Sequence, residues 1–540
     1  MSDPKTFLTP DDDHGPRLPT EILEMVFEYL NVRDLGNCVQ ANPAWNTVAS
    51  RKMYRGSLQH QELRTPDISS LNAMSEAFPA RFTQNMSLVE HLLVSPKEKY
   101  LREEDRKWIA RESFHVLREL RLAQSVSRVR SLSMPYEPAS PADSQLYTSV
   151  LVTPKIEFLA IDDSFCSYLD PRRGFDSSRL KGTRALTIYS SGPEIDVDSI
   201  CSMIDQCDLR FFLYEDARNR RPWATERTDQ LLTCLARQKD LEVLVLLTRG
   251  VSHRLIPLMR EGKPWPELKV LRIPSWITED SDWMSASPLD AYSQLEMVDL
   301  PMYTHLNAAC RDRLKMLRFE KIDHCDVRDL LHVLSGCHRL RWLSFGTQFP
   351  LESTSFASLP LLDSLEYLVF APEDDYMHIG RPRRVATMHD TILVKCPRLT
   401  VLEMPTTHLT VSLNSLEQMP SFPNIKRITL LKVSLGDYDL LKQTYQMTES
   451  SMMEDLVAEW RRIFPNLQRF PGEPYPRKIS KQTRSPLFNW TRQFVTLSRY
   501  PWKSPNDKAV ELKKLQDDLE TEIMGWPIVP LSSYHPNARQ

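Results

Sequence analysis

The sequence is poor in glycine, with 14 glycines spread over 540 residues. The closest two, Gly174 and Gly182, are eight positions apart. A Gly-x-Gly-x-x-Gly turn or a phosphate-binding P-loop needs glycines within a few residues of one another, so both motifs are excluded. The His-Glu-x-x-His and Gly-x-Ser-x-Gly motifs are also absent. We therefore predict that the chain is not an enzyme and needs no cofactor.

Long apolar runs, an excess of one charge and paired cysteines are missing too. The longest apolar runs, such as Leu241–Leu247, are far shorter than the roughly 18 to 20 residues of a membrane span. The 68 Lys and Arg residues nearly balance the 71 Asp and Glu residues, which gives no broad basic field for nucleic acid. We expect neither nucleic acid nor a membrane as a partner.

Nine cysteines without a Cys-x-x-Cys pair, and no secretory leader at residues 1–10, indicate reduced thiols in the cytoplasm and/or nucleus.

Residues 18–55 predict three short helices. The first, over about 21–30, carries apolar residues on a face wider than a surface helix needs. Asn31 can cap the second helix, and Asn42-Pro43 is a start signal for the third. So small a unit buries little surface by itself. One apolar face is therefore expected to bind another protein.

The segment from Leu18 to Arg55 resembles the F-box. The matching positions are Leu18, Pro19, Glu21, Ile22, Leu23, Phe27, Tyr29, Leu30, Asp34, Leu35, Val39, Trp45, Ala49 and Tyr54. F-boxes fold as three helices and bind the Skp-family linker subunit of cullin-based ubiquitin ligases, so the resemblance implies that subunit and, through it, a cullin as partners. The Skp contacts that it implies are Leu18, Pro19, Ile22, Leu23, Phe27, Leu30 and Leu35. Trp45 and Val48 are expected in the internal core. An unrelated helical cap for the rest of the chain is the alternative.

From residue 89 onwards, an apolar-x-x-apolar-x-apolar pattern recurs thirteen times. The copies begin at Val89, Val129, Ile156, Thr183, Leu209, Leu241, Leu268, Leu295, Leu314, Leu340, Leu365, Leu399 and Ile425, and a weak last copy begins at Leu467. Most intervals lie within the 20 to 29 residues of leucine-rich repeats, and longer ones can hold insertions. The 19-residue step from Leu295 to Leu314 leaves room for little more than a turn or a one-turn helix.

One strand and one helix per copy predict a stacked solenoid. The array resembles the degenerate leucine-rich repeats of fungal-type F-box proteins. The asparagine that usually ends the strand turn is replaced, which predicts an irregular ladder; those positions hold Arg249, Trp276, Tyr303 and Thr407. A generic α/β protein with recurring strands is the alternative.

The predicted fold is therefore α/β, a small three-helix F-box followed by a curved leucine-rich-repeat solenoid with a parallel inner sheet. The predicted divisions are a disordered tail (1–14), the F-box (15–56), a helical linker (57–84), the solenoid (85–470), and a proline-rich segment with a C-terminal cap (471–540). The helical part of the cap, near Asp507–Met524, is expected to cover the last repeat, because an open solenoid end exposes core.

Residues between the strand leucines are expected to face the concave side, where a protein substrate would bind. Aromatic and arginine side chains are common at binding hot spots. The candidate substrate-binding residues are Arg272, Asp299, Arg318, Trp342, Tyr367 and Glu403. Sideways packing of these side chains on one another is the alternative.

A separate cluster of histidines and cysteines suggests a zinc site; it comprises His324, Cys325, His332, Cys337 and His338. Its spacing matches no usual zinc motif, so no metal is predicted.

Taken together, these features favour a substrate-recognition adaptor of an SCF-type (Skp-cullin-F-box) ubiquitin ligase, which supports protein ubiquitination without catalysing it. The identity of the protein substrate is left open. The alternative is an F-box scaffold that acts with the Skp subunit outside any ligase. An enzyme whose site is formed by loops ranks last, since the sequence offers no catalytic constellation.

Overall fold

A computed structural model provides the structure of the protein. It describes residues 18–27, 30, 32–41, 43–56, 85–94, 128–135, 141–190, 196–216, 225–248, 251–273, 289, 291–302, 306, 308–321, 327–345, 359–370, 385–387, 390–435, 441, 443, 445–446, 448–467, 515–516 and 518–525. Two compact units are distinguished, Met1–Thr183 and Arg184–Gln540, and each is described by itself. The predicted linker 57–84 and most of the proline-rich segment lie outside the described residues.

The first unit begins with the three predicted helices. They are α1 (Thr20–Phe27), α2 (Val32–Ala41) and α3 (Pro43–Arg55). The helix starts follow Leu18-Pro19, Asn31 and Asn42, as the capping signals predicted. The core of the bundle contains Leu23, Phe27, Leu35, Val48 and Ala49, with Leu30, Cys38, Val39, Trp45 and Met53 packed against it. The expected core positions of Trp45 and Val48 are thus confirmed.

The remainder of the first unit contains three parallel strands and their connections. The strands are β1 (His91–Leu93), β2 (Ser131–Met134) and β3 (Phe158–Asp162), and α4 spans Pro141–Leu151. After β3 the chain turns through three 3₁₀ helices, at Asp163–Tyr168, Pro171–Arg173 and Ser177–Arg179. Asp162, Asp170 and Asp176 start them, each accepting a hydrogen bond from the backbone N–H two residues later.

The second unit contains eleven strands in its described part. They are β4 (Ala185–Ser190), β5 (Phe211–Asp216), β6 (Val243–Leu247), β7 (Val270–Arg272), β8 (Met297–Met302), β9 (Met316–Lys321), β10 (Trp342–Phe345), β11 (Tyr367–Phe370), β12 (Val385–Thr387), β13 (Val401–Val411) and β14 (Arg427–Leu435). All pairings are parallel, in chain order from β4 to β11. β13 then pairs with β11, β12 and β14.

Helices of the second unit alternate with these strands. They are α5 (Val197–Ile204), α6 (Thr225–Leu235), α7 (Ser252–Gly262), α8 (Ala308–Arg311), α9 (Val327–Leu334), α10 (Asp390–Lys395), α11 (Leu413–Gln418) and α12 (Glu449–Ile463). Residues 518–524 are also helical. α12 follows the last strand and packs on α11, where Arg462 donates hydrogen bonds to the carbonyl oxygens of Met419 and Leu416. No helix in the described ranges is both long enough and apolar enough to cross a bilayer.

The repeat prediction is confirmed strand by strand. Each of the thirteen copies begins two residues before a strand; Leu241, for example, precedes β6 and Leu340 precedes β10. The pattern residues of these copies whose burial the structure describes are buried, and alternation along the strand places them on one face of the sheet. In its described residues the short step after Leu295 contains β8 and the one-turn α8, and the long step after Leu365 holds the unpredicted β12. The weak copy at Leu467 runs into residues outside the described part.

The ladder of the second unit is more regular than its degenerate sequence suggested. From β4 to β11 the partner residues follow one another without a register shift in the described pairs. An irregularity occurs between Met404 and His408 of β13, the segment that contains Thr407. Ion pairs also join neighbouring strands at the second position of the repeat: Lys269 with Glu242 at 2.6 Å, Lys315 with Glu296 at 2.7 Å and Arg341 with Glu366 at 3.1 Å. Opposite charges on adjacent strands favour this register.

Candidate functional site: an apolar helix face and a covered repeat face

Helix α1 presents large apolar side chains on its outer side. Leu18 is 51% exposed, Ile22 42%, Met25 65% and Val26 48%. Ile22, Met25 and Val26 are three and four positions apart, so they share one face of the helix, and Leu18 lies one turn before them. We call these four residues the α1 patch. A contiguous apolar surface on so small a bundle is typical of an interface.

The α1 patch differs from the set of Skp contacts implied by the sequence. Leu18, Pro19 and Ile22 are exposed as expected, and Leu30 is half-buried. Leu23, Phe27 and Leu35 are instead buried inside the bundle. Their assignment as direct contacts is corrected, because a three-helix unit uses its largest inward-facing groups for its own core. Met25 and Val26 were missed, although their spacing from Ile22 already placed all three on one side.

Within α1, the inner and outer faces are distinguished by the packing of the third helix. The Phe27 ring meets Trp45 edge-on, with the ring centroids 6.0 Å apart. On the outer side, Glu24 lies 3.5 Å from Arg51 of α3, and Glu21 is exposed. The α1 patch is therefore bordered by charged side chains. An apolar centre with a polar rim is the usual anatomy of a protein–protein interface.

On the repeat face, the structure brings three of the predicted substrate-binding residues together. Arg272, Asp299 and Arg318 are register partners on β7, β8 and β9. The buried Asp299 carboxylate lies 3.0 Å from Nε of Arg272 and 3.7 Å from Nε of Arg318. One carboxylate thus holds two guanidinium groups side by side.

The next two candidates, Trp342 and Tyr367, stack on adjacent strands. Their ring centroids are 4.9 Å apart and their planes differ by 28°. Burial raises the pKa of Tyr367, and the Glu366 carboxylate adds to this shift. The sixth candidate, Glu403 on β13, forms an ion pair with Arg427 of β14. Trp342 is register partner of Met316, two residues before Arg318 on β9, so the aromatic pair lies in the row next to that of the arginines, while Glu403 belongs to a separate ion pair.

A C-terminal segment covers part of this face. The Glu520 carboxylate lies 2.7 Å from Nη1 of Arg272 and accepts a hydrogen bond from Gln516. The Glu522 carboxylate lies 2.9 Å from Nη1 of Arg341, at the start of β10. Leu519, Ile523 and Met524 are buried. We call residues 518–524 the C-terminal helix.

The position of the C-terminal helix differs from the expected cap. The sequence placed it over the last repeat, whereas its ion pairs are with β7 and the start of β10, in the middle of the array. The physical reason is charge complementarity, since its acidic residues meet arginines there. On this face Asp299 and Trp342 are buried and only 15% of the Arg272 side chain is exposed, while Arg318 and Tyr367 are partly exposed.

The cysteine and histidine cluster does not form a metal centre in the described part of the chain. Cys337 is buried and donates a hydrogen bond to the carbonyl oxygen of Val333. Burial raises the pKa of Cys337 to about 12, so the thiol stays protonated. His332 and His338 are exposed, and His324 and Cys325 lie outside the described residues. Among the described residues, no group of three or more His, Cys, Asp or Glu side chains is arranged to hold a metal ion.

Comparison with known proteins agrees with the N-terminal geometry. Residues 16–56 match the family model of F-box-like domains. No curated protein matches the chain. The 35 matching chains of solved structures include the leucine-rich-repeat ectodomain of the plant membrane receptor kinase GASSHO1/SCHENGEN3 from Arabidopsis thaliana, in complex with CASPARIAN STRIP INTEGRITY FACTOR 2. That match has 10% identity and a TM-score of 0.27, and covers 56% of this chain and 40% of the ectodomain. The chain carries an F-box-like domain at residues 16–56, followed along the sequence by parallel strands that alternate with helices.

Proposed function

We propose that this chain is the substrate-recognition adaptor of an SCF-type ubiquitin ligase. The α1 patch binds a Skp-family linker subunit, and that subunit connects the chain to a cullin. The repeats bind a protein substrate. The observation that carries the proposal is the exposed apolar side of α1, on a bundle whose other described large apolar residues are buried or half-buried.

The size of the α1 patch is sufficient for a binding anchor. Fully burying one large aliphatic side chain is worth about 1.5–3 kcal/mol, so covering the exposed halves of four is worth about 3–6 kcal/mol before the costs of association. Anchors of this kind usually dominate an interface that is larger than themselves. A Skp-family subunit covering α1 would therefore bind through these side chains, with the charged border setting its orientation.

The role of the chain in such a ligase is positional. Binding a substrate through the repeats and a linker subunit through the F-box-like domain raises the local concentration of the substrate near the transferred ubiquitin. Catalysis then belongs to other subunits, and F-box and leucine-rich-repeat modules are in general interaction modules. The proposed sites of action are the cytoplasm and/or the nucleus.

The proposal is tested by capture of a purified Skp-family subunit on the immobilised full chain. The double substitution Ile22→Asp and Val26→Asp places two charges in the α1 patch and is expected to abolish capture. The matched control is Asn37→Asp with Gln40→Asp, which puts the same acid on exposed positions of α2. Undiminished capture by the α1 variant would refute the α1 patch as the docking surface.

A second measurement separates the ligase from the scaffold. When the chain is recovered from cells with its partners, a ligase adaptor brings down the cullin as well as the Skp subunit, and its loss lengthens the lifetime of a bound protein. Recovery of the Skp subunit without cullin, and unchanged partner lifetimes, would indicate a scaffold outside the ligase.

A further inference from the structure

We propose that the face formed by β7 to β11 is a binding site for an acidic, amphipathic helix, and that the C-terminal helix is an internal ligand of that site. The substrate class is then a protein with an accessible helix that presents a carboxylate and aliphatic side chains on the same side, as Glu520, Leu519 and Ile523 do here. Such a substrate binds by displacing residues 518–524. This inference rests on the proposed adaptor function and deepens it, because it names what the repeats recognise and how access is controlled.

The charges of the face support this occupant. Without the C-terminal helix, three arginines face two carboxylates, which leaves one positive charge in excess; the groups are Arg272, Arg318, Arg341, Asp299 and Glu366. The C-terminal helix adds three carboxylates, those of Asp518, Glu520 and Glu522, and the last two are each within ion-pair distance of an arginine. The acidic side of a helix therefore complements this face, whereas a basic helix would meet excess positive charge.

The apolar groups of the helix and a buried donor on the face provide a second, independent argument. Leu519 and Ile523 are four positions apart, so they share one side of the helix, and both are buried. On the face itself, the indole N–H of Trp342 is buried and has no acceptor among the residues that the structure describes. A buried donor without a partner is costly, so a ligand that supplies an acceptor there gains affinity. The face thus offers cationic, aromatic and hydrogen-bonding groups at one site.

The C-terminal helix is suited to displacement rather than to permanent closure. Its outer ion pair, between Glu522 and Arg341, is solvent-exposed and contributes little. Its advantage is that it is tethered, which gives it an effective concentration on the order of millimolar. A longer acidic helix with more contacts competes with it.

The test measures binding of a fluorescein-labelled peptide with the sequence of residues 515–525 to the full-length chain. The variant Leu519→Asp with Ile523→Asp removes the apolar contacts that hold the internal helix on the face. It is expected to bind the peptide at least tenfold more tightly than the unmodified chain. Adding Arg272→Glu to this variant is expected to reverse the gain at least tenfold. A peptide carrying Glu520→Lys should recover binding to that triple variant.

The matched control makes the same aliphatic-to-aspartate change at two exposed positions of the second unit, Leu361→Asp and Val394→Asp, and should leave peptide binding unchanged. If the Leu519→Asp, Ile523→Asp variant misfolds, the milder Glu520→Gln decides the question. Its affinity for the peptide is expected to rise several-fold. A folded variant that gains no affinity, or equal binding by all variants, would overturn the proposal and make residues 518–524 a fixed part of the fold. Capture of the Skp subunit, measured on the same samples, tests the adaptor function separately, because it depends on α1 and not on Arg272.

Discussion

Replacing Phe27 with alanine should unfold the F-box-like bundle while the strands of the second unit stay folded. Phe27 is 2% exposed and packs edge-on against Trp45. Truncating a buried phenylalanine costs about 3–5 kcal/mol. A unit of roughly 36 residues, at 0.05–0.15 kcal/mol per residue, has about 2–5 kcal/mol of stability to lose. The substitution therefore removes most or all of it.

The neighbouring position provides the contrast. Val26 is 48% exposed, so Val26→Ala should change the stability of the bundle by less than about 0.5 kcal/mol. It should nevertheless weaken capture of a Skp-family subunit, because truncation of an interface anchor typically costs more than about 1 kcal/mol, or about fivefold in affinity. Phe27→Ala should abolish capture as well, but through unfolding.

The assay is amide hydrogen exchange of peptides from α1, α2 and α3, followed by mass spectrometry and performed alongside the capture measurement. We expect full exchange in these helices for Phe27→Ala and near-normal protection for Val26→Ala. If Phe27→Ala kept normal protection and still lost capture, Phe27 would contact the partner directly, as the sequence suggested. The division of α1 into an inner and an outer face would then be refuted.

Three further predictions concern the stability of the two units. Gly182→Ala should lower the free energy of thermal unfolding by about 1–3 kcal/mol, because the added methyl group would overlap the backbone oxygen of Pro154. The control is Gly262→Ala, which should not show this loss because a Cβ has room there. Burial lowers the pKa of His91 to about 4, so between about pH 6.5 and 4 the unfolded chain binds a proton that the folded chain does not. Urea unfolding should therefore show the first unit losing about 2–3 kcal/mol from pH 7 to pH 4.5, and His91→Leu should remove this dependence. Trp342→Ala should lower the free energy of unfolding in guanidinium by about 3–5 kcal/mol. Trp342→Phe should lower it much less, because the aromatic stack remains and the indole N–H has no acceptor in the described structure.

The repeat strands could be predicted from the sequence because their signal is local. The pattern of Leu241, Leu244 and Leu246 needs only the alternation of a strand and a nearly constant period. β12 was missed since Val385–Thr387 is a three-residue strand that lacks this pattern. It pairs with the second half of β13, so its strand conformation is set by a neighbour rather than by its own residues.

The exposure of the F-box residues was predicted only in part, for a related reason. Helical periodicity separates Leu23 and Phe27 from Ile22 and Val26 on α1, but it does not say which pair faces α2 and α3. The packing of the Phe27 ring against Trp45 decides it. The family resemblance identified the segment correctly, and burial then reassigned its residues between the core and the surface.

The sequence alone determined the elements of this protein, namely three capped helices and a series of strands, since apolar periodicity and capping act over a few residues. Only the tertiary structure decided what occupies the repeat face. Arg272 and Glu520 are 248 positions apart, and no local pattern connects them. Their contact depends on the stacking of all the repeats between β7 and β10 and on the complementary charge of a distant helix, which emerge only when the chain is folded.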